Sequence, residues 1–392
     1  MIIGIDASNI RTGGGVTHLV EVLRAGDPEK YGIDEVVVYC DRKLQELMSP
    51  KPWLKFSNHS LLEGAFLKDT KFGGIVLNRG WLRRLSWKKF VLPKLLKECD
   101  VLFVPGGVYS GKFRPYVTMF QSMLPFKFNE FKRYFPHIQF FRILLLRFLQ
   151  GKTFKKANGV ICLSGGGKEI LESAVKNDFL TVIPHGIKEE FYGKVKIQRS
   201  LSDYSDEKPF RLLYVSIIDV YKHQWQIVKA VAKLRERGLP VILDLVGSAY
   251  KPALKKLNKA IAQYDPNGDF IHYLGAIPYN QLSQHYANAD AFVFASSCET
   301  FGMPLLEAMA IGLPIACSDH SVMPSILKDA GVYFDPENAD NVAQALESLL
   351  NDVRLRQYLA QKARAYAKQY SWKKCANKTF EFIGKIGKEY KK

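Results

Sequence analysis

With 392 residues the chain is too long for one ordinary hydrophobic core, and two domains of roughly 200 residues each are expected. A hydrophobic share of 47% and a charged share of 24% suit a soluble globular protein and exclude a disordered or fibrous one. The formal net charge of +18 is concentrated, since residues 51–156 carry 21 basic and 5 acidic side chains. That balance suits an anionic partner without choosing among nucleic acid, anionic lipid and phosphorylated substrate.

In chain order, apolar runs at 2–6, 36–40, 101–104, 117–120, 160–163 and 180–183 read as strands. A second series follows at 211–215, 241–246, 270–273, 291–294, 314–317 and 332–334. Helix-length segments separate most of them, which implies parallel sheets covered on both faces. The alternation pauses once, at the polar stretch 193–209. The expected class is therefore α/β, with two doubly wound domains, 1–192 and 210–371, facing across a cleft and joined by the linker 193–209. A C-terminal helix over 372–392, carrying Trp372, Phe380, Phe382 and Ile383, is expected to pack back on the first domain. Ligands of such sheets bind at the carboxyl ends of the strands. No signal peptide and no membrane span is expected, because the most apolar stretch, 143–149, is broken by Arg147 and falls short of the roughly 20 residues a span requires. The six cysteines form no C-x-x-C pair and are expected to be reduced thiols of a cytoplasmic protein.

The segment with most chemistry is 296–319, SSCETFGMPLLEAMAIGLPIACSD. It follows a strand, turns at Phe301 and Gly302, and enters a helix near Pro304. A helix N-terminus offers backbone amides to an anion, and Gly302 permits close backbone approach. Glu299 and Glu307 flank that turn. On spacing alone they are equally a loop acid with a first-turn acid, or a pair of carboxylates for sugar hydroxyls.

This segment resembles the motif of the retaining glycosyltransferases of the GT-B fold, family four: two glutamates separated by seven residues, Phe-Gly between them and Glu-Ala-Met-Ala at the second. Here those positions are Glu299, Phe301, Gly302, Glu307, Ala308, Met309 and Ala310. The resemblance implies that Glu307 binds the nucleotide ribose. It implies that Glu299, with amides from Phe301, Gly302, Met303, Pro304 and Leu305, surrounds the donor sugar and its phosphates (proline contributing no N–H). Other segments gain meaning from it. The N-terminal turn ending in Gly14 and Gly15 is by itself an ordinary flexible loop, and the resemblance places those glycines at the donor diphosphate. His18 follows in the next helix, on the acceptor side. After the first strand of the second domain, Lys222 matches a phosphate-binding lysine and acts with Glu299 in catalysis. Ile217 stands where relatives carry an arginine, so Ser216, Lys222 or a basic residue of the first domain is expected to serve the phosphates. Ala276 and Ile277 fall in the loop that contacts the base. Gln121, after another strand, faces the acceptor.

Gly165-Gly-Gly-Lys168 looks like part of a P-loop, but Glu169 replaces the magnesium-binding Ser/Thr, and a strand-to-helix turn explains it better. No metal motif is present, and neither metal nor cofactor is expected beyond the nucleoside-diphosphate sugar co-substrate. Two basic amphipathic segments, 81–97 and 131–154, suit contact with an anionic membrane surface. The expected function is hexosyl transfer to a glycan or lipid-linked acceptor in bacterial surface polysaccharide synthesis, at the inner face of the membrane. A sugar-nucleotide epimerase of the same fold is the alternative. Nucleic-acid binding is suggested only by charge and lacks any reading motif.

Overall fold

The computed structural model describes residues 1–11, 13–57, 71–72, 75–76, 87–193 and 195–390. The chain divides into two compact units: Met1–Phe126, Arg142–Gly186 and Trp372–Lys392 form the first, and Lys127–Phe141 with Ile187–Ser371 the second.

The first unit is built on β1 (Ile2–Asp6), β2 (Glu35–Tyr39), β3 (Leu54–Ser57), β6 (Val101–Val104), β7 (Tyr116–Phe120), β8 (Gly159–Cys162) and β9 (Leu180–Val182). A separate antiparallel pair, β4 (Lys71–Phe72) and β5 (Ile75–Val76), lies between β3 and β6 in sequence. The seven-stranded sheet has the order β3-β2-β1-β6-β7-β8-β9 and all its pairings are parallel. Strands β6, β7 and β8 are buried along their whole length, as expected of apolar runs covered on both faces. The helices used below are α1 (Gly14–Ala25), α2 (Ile138–Lys156, whose residues from Arg142 onward belong to this unit), α3 (Gly165–Ala174) and, at the chain end, Trp372–Tyr390. Ser164 caps α3 by accepting from the Gly167 amide at 3.1 Å, so the GGGK run is a capped helix start. The terminal helix lies in this unit, with the Phe380 ring edge-on to Trp53 at 6.1 Å.

The second unit carries β10 (Phe210–Val215), β11 (Val241–Val246), β12 (Ile271–Gly275), β13 (Ala291–Phe294), β14 (Ile315–Ser318) and β15 (Val332–Phe334). Their order is β12-β11-β10-β13-β14-β15, again wholly parallel. The order reverses between β10 and β13, the switch point where such sheets leave a crevice at their carboxyl edge. Helices α4 (Gln224–Glu236), α5 (Lys251–Tyr264), α6 (Tyr279–Asn288), α7 (Met303–Ile311), α8 (Ala339–Asn351) and α9 (Val353–Ala367) follow in sequence, and the terminal Trp372–Tyr390 helix is α10.

All the predicted strands are present within two residues of the expected bounds; β3 and the β4–β5 pair were not anticipated. All six cysteines are free thiols, and only Cys99 is not fully buried. Among the described residues, no helix is long and apolar enough to cross a membrane. The expected basic segment 81–97 falls partly outside the described residues.

Candidate functional site

The site residues expected within 210–371 lie at the carboxyl ends of β10, β12 and β13 or in the helix that follows β13. The loops there are tied to one another. The Ser216 amide donates to the Val246 carbonyl at 2.8 Å, and the Gly247 amide donates to the Gly275 carbonyl at 2.8 Å. Gly247, at φ 147°, has no space for a side chain: a Cβ would collide with the Ser216 carbonyl oxygen. Ala276 and Ile277 follow directly and lead into α6, with Ala276 exposed. Ile217 presents an apolar side chain, 44% exposed, where a cation was expected from the resemblance.

Lys222 is buried, and its ammonium pairs with the Glu299 carboxylate. The Tyr214 hydroxyl donates to the Lys222 carbonyl at 2.7 Å, and the Lys222 ammonium stands 5.3 Å from the centre of the Phe294 ring. Glu299 is gripped through its backbone: its amide donates to the Ser321 hydroxyl oxygen at 2.9 Å, and that hydroxyl donates to the Glu299 carbonyl at 3.0 Å. The chain then turns through Phe301, which is buried against Tyr370, and Gly302, which is left-handed at φ 84°. Gly302 is the N-cap of α7 and has no side chain to bond the first amides, while Pro304 occupies the first turn. Met303 and Leu305 complete that turn. A partly buried cation–carboxylate pair beside an uncapped helix start is suited to an anionic group that also offers hydroxyls.

Glu307 lies in α7, 3% exposed, between two tyrosines of α6. Tyr279 donates to Oε1 at 3.0 Å and Tyr286 to Oε2 at 2.8 Å. Burial raises the carboxyl to about 7, against the lowering effect of the two hydroxyls and of Lys188. Each carboxylate oxygen keeps a lone pair for a further donor, such as a diol.

The sequence reading did not find these tyrosines, although their spacing of seven residues on one helix places them on one face. It also missed a network behind the loops. Within the second unit, the segment Lys127–Phe141 lies against the strand-end loops: Ser297 donates to Glu130 Oε2 at 2.8 Å, and the Tyr134 hydroxyl donates to Asp219 Oδ1 at 2.8 Å. His223, buried at the left-handed φ of 51°, shares the Ser297 hydroxyl at 3.0 Å. Asp219 and Ser297 each lie within three residues of Lys222 or Glu299, so the segment braces both members of the ion pair.

In the first unit, Gly14 and Gly15 open α1 at the carboxyl end of β1. A Cβ on Gly15 would come within 3.2 Å of the Gln121 side-chain oxygen, so the structure brings these two residues together. His18 is fully buried: its Nδ1 meets His185 Nδ1 at 3.0 Å, with Trp372 completing the cluster at 6.0 Å between ring centres. It presents nothing to solvent there, and packing, not an open acceptor surface, is its surrounding. Among the described residues no group of three or more His, Cys, Asp or Glu could hold a metal ion.

Residues 201–366, the region that holds Lys222, Glu299 and Glu307, match the family model for "Glycosyl transferases group 1". The chain is 38% identical over 110 residues to the O-antigen chain mannosyltransferase B of Escherichia coli, a match covering 28% of this chain and 29% of that one. It is 30% identical over 183 residues to the sulfoquinovosyl transferase SQD2 of Arabidopsis thaliana, covering 45% and 34%. The matches thus span about a third of these curated relatives' lengths. Among solved structures, a sucrose-phosphate synthase from Thermosynechococcus elongatus superposes with a TM-score of 0.73 at 17% identity, covering 100% of this chain and 98% of that one. The lipopolysaccharide-biosynthesis glycosyltransferase WaaG gives 0.68 at 16%, covering 98% and 99%. Anabaena HepE, in complex with UDP-glucose, gives 0.68 at 17%, covering 100% and 99%.

Proposed function

Because residues 201–366 are a group 1 glycosyl transferase region and the whole chain has the GT-B fold, we propose that the protein is a metal-independent, retaining glycosyltransferase. It moves a hexose from a nucleoside-diphosphate sugar to a glycan or lipid-linked acceptor of a bacterial surface polysaccharide. The observation that carries this reading is the partly buried Lys222–Glu299 pair beside the uncapped start of α7, with Glu307 of the same helix held by two tyrosines of α6. The HepE structure with UDP-glucose supports a nucleotide-sugar donor.

In this reading Glu307 accepts from the ribose hydroxyls, and Glu299 accepts from hydroxyls of the transferred sugar. Lys222 and the first amides of α7 stabilise the charge that develops on the departing diphosphate. The bond from the anomeric carbon to the phosphate oxygen breaks as the acceptor oxygen bonds to the same face of that carbon. The acceptor's proton passes to the leaving phosphate, so no strong side-chain base is required. Ser216 and Lys222 serve the phosphates in place of the cation absent at Ile217. The protein works in the cytoplasm, peripherally at the inner membrane face.

A thermal-shift screen of UDP, GDP and dTDP sugars selects the donor, and transfer is then followed with the radiolabelled sugar. Lys222→Ala and Glu307→Ala are each expected to lower kcat/KM by roughly a hundredfold or more while remaining folded. Near-normal transfer by both variants would sink the assignment. Retention is read from the anomeric proton coupling of the product; an inverted anomer rejects that part alone.

A further inference from the structure

The first unit holds a groove that the transfer reading does not use. It has a volume of about 690 Å³, within the range of small-molecule sites, and lies between α2 and the end of α3. Its apolar part is formed by Phe126, Leu144, Phe148 and Val175. Its polar part is cationic: Arg147, Lys152, Lys155 and Lys176 line it, and among the described residues no carboxylate does. The floor is fixed. Phe126 packs on Phe120 and Phe154, with ring centres 5.4 and 6.0 Å apart, and Arg147 is held over Phe126 by donating to the Pro125 carbonyl at 3.1 Å.

Helix α2 is built against the usual pattern. A surface helix turns its apolar side inward and its charges out. Here Ile143 and Phe154 are buried as usual, but Leu144, Leu145 and Phe148 are 46%, 52% and 57% exposed while Gln150 and Thr153 are buried. Its 19 residues include five cations and no acid. The apolar residues occupy the middle of the helix and the lysines its last turns, so an apolar strip leads toward a cluster of ammonium groups.

We propose that this groove seats one anionic lipid of the bilayer. The phosphate headgroup lies among Lys152, Lys155 and Lys176, and the first part of its chain lies along Leu144, Phe148 and Phe126. The proposal deepens the peripheral-membrane part of the reading above by naming the place and the lipid class. Charge complementarity selects the occupant: an apolar peptide leaves four cations unpaired, and a free phosphate leaves the apolar strip wet.

Isothermal calorimetry of the full chain with dodecyl phosphate, below its micellar concentration, tests it. One site per chain is expected. The double variant Lys152→Glu with Lys155→Glu should weaken binding roughly thirtyfold. Lys255→Glu with Lys259→Glu on α5, an equal charge change at exposed positions of the second unit, should leave it unchanged. Leu144→Gln with Phe148→Gln, which keeps every charge, should also weaken it. Phosphatidylglycerol vesicles should sediment the wild type and the α5 variant but not the groove variants, and phosphatidylcholine vesicles should sediment none. Equal losses from both charge reversals would mean diffuse attraction and overturn the proposal. So would binding of dodecyl maltoside, or of inorganic phosphate, as tight as that of dodecyl phosphate. No sugar donor enters either measurement, so its failure leaves the transfer reading standing, and failed transfer leaves this one standing.

Discussion

Glu307 has its carboxyl raised to about 7 from an ordinary 4.5 by burial, and this gives its own pH signature. Between those values the folded chain holds a proton that the unfolded chain has released. Folding therefore loses stability from this group as pH rises through the window, and nothing further changes above it. The full effect is on the order of 3 kcal/mol at about 1.4 kcal/mol per unit. Glu307→Gln should remove that slope, so that on going from pH 5 to pH 7 its Tm rises more, or falls less, than that of the wild type. Donor binding should follow the opposite course. The ionised carboxylate is the better acceptor for ribose hydroxyls, so donor Kd in the wild type should fall on passing above about 7, and in the Gln variant it should not. A wild-type Kd that is flat across that pH removes Glu307 from ribose recognition.

At the scale of elements, the segment Lys127–Phe141 braces the loops after β10 and β13. Tyr134→Phe takes one donor from the buried Asp219 carboxylate, which keeps the Val220 amide at 2.7 Å, at a cost of about 1–3 kcal/mol. Burial already raises Asp219, and the lost hydroxyl should raise it further. The expected outcome is a lowered Tm together with a raised donor KM, because Asp219 lies three residues before Lys222; a lowered Tm with unchanged KM would show that the brace does not reach the site. How much of this was legible in the sequence varies with the source of each feature. The strands were, because buried parallel strands are continuous apolar runs, as in the VLFV of β6. The strand β3 was not: LKFS buries only Leu54, and an edge strand carries little pattern. The Glu299–Glu307 segment was legible because its parts are consecutive in sequence. Tyr279, Tyr286, Glu130 and Ser297 were not, because they meet the site through tertiary contact and single polar side chains carry no periodicity. His18 was expected on the acceptor side, and only the structure shows that His185 and Trp372 enclose it.

At the scale of the whole molecule, the two units should respond differently to acid. In the first unit, burial lowers His18 from 6.5 to about 4 and holds His185 well below its ordinary value, with the neighbouring His18 adding to the effect. For these bases the unfolded chain takes up protons that the folded chain refuses, so stability is intact above 6.5 and is lost as pH falls from there toward 4. The loss from His18 alone approaches about 3 kcal/mol at the acid end. In the second unit the terms oppose each other. His223 is lowered to about 4 by burial and so loses stability in acid, whereas Glu307, raised to about 7, gains it. The first unit should therefore loosen before the second on acidification. The His18–His185 pair packs on Trp372, at the first turn of α10, so protonating either imidazole drives a charge into the contact that holds the start of that helix. Hydrogen exchange at pH 7, 5.5 and 4.5, resolved by peptide and corrected for the intrinsic pH dependence, measures this. Amides of 372–390 and of β1 should lose protection first, while those of β10 and β13 hold. His18→Phe, which keeps an aromatic ring and removes the titrating group, should reduce the first unit's acid sensitivity. Simultaneous opening of both units, or an unchanged response in the His18 variant, would place the acid trigger elsewhere.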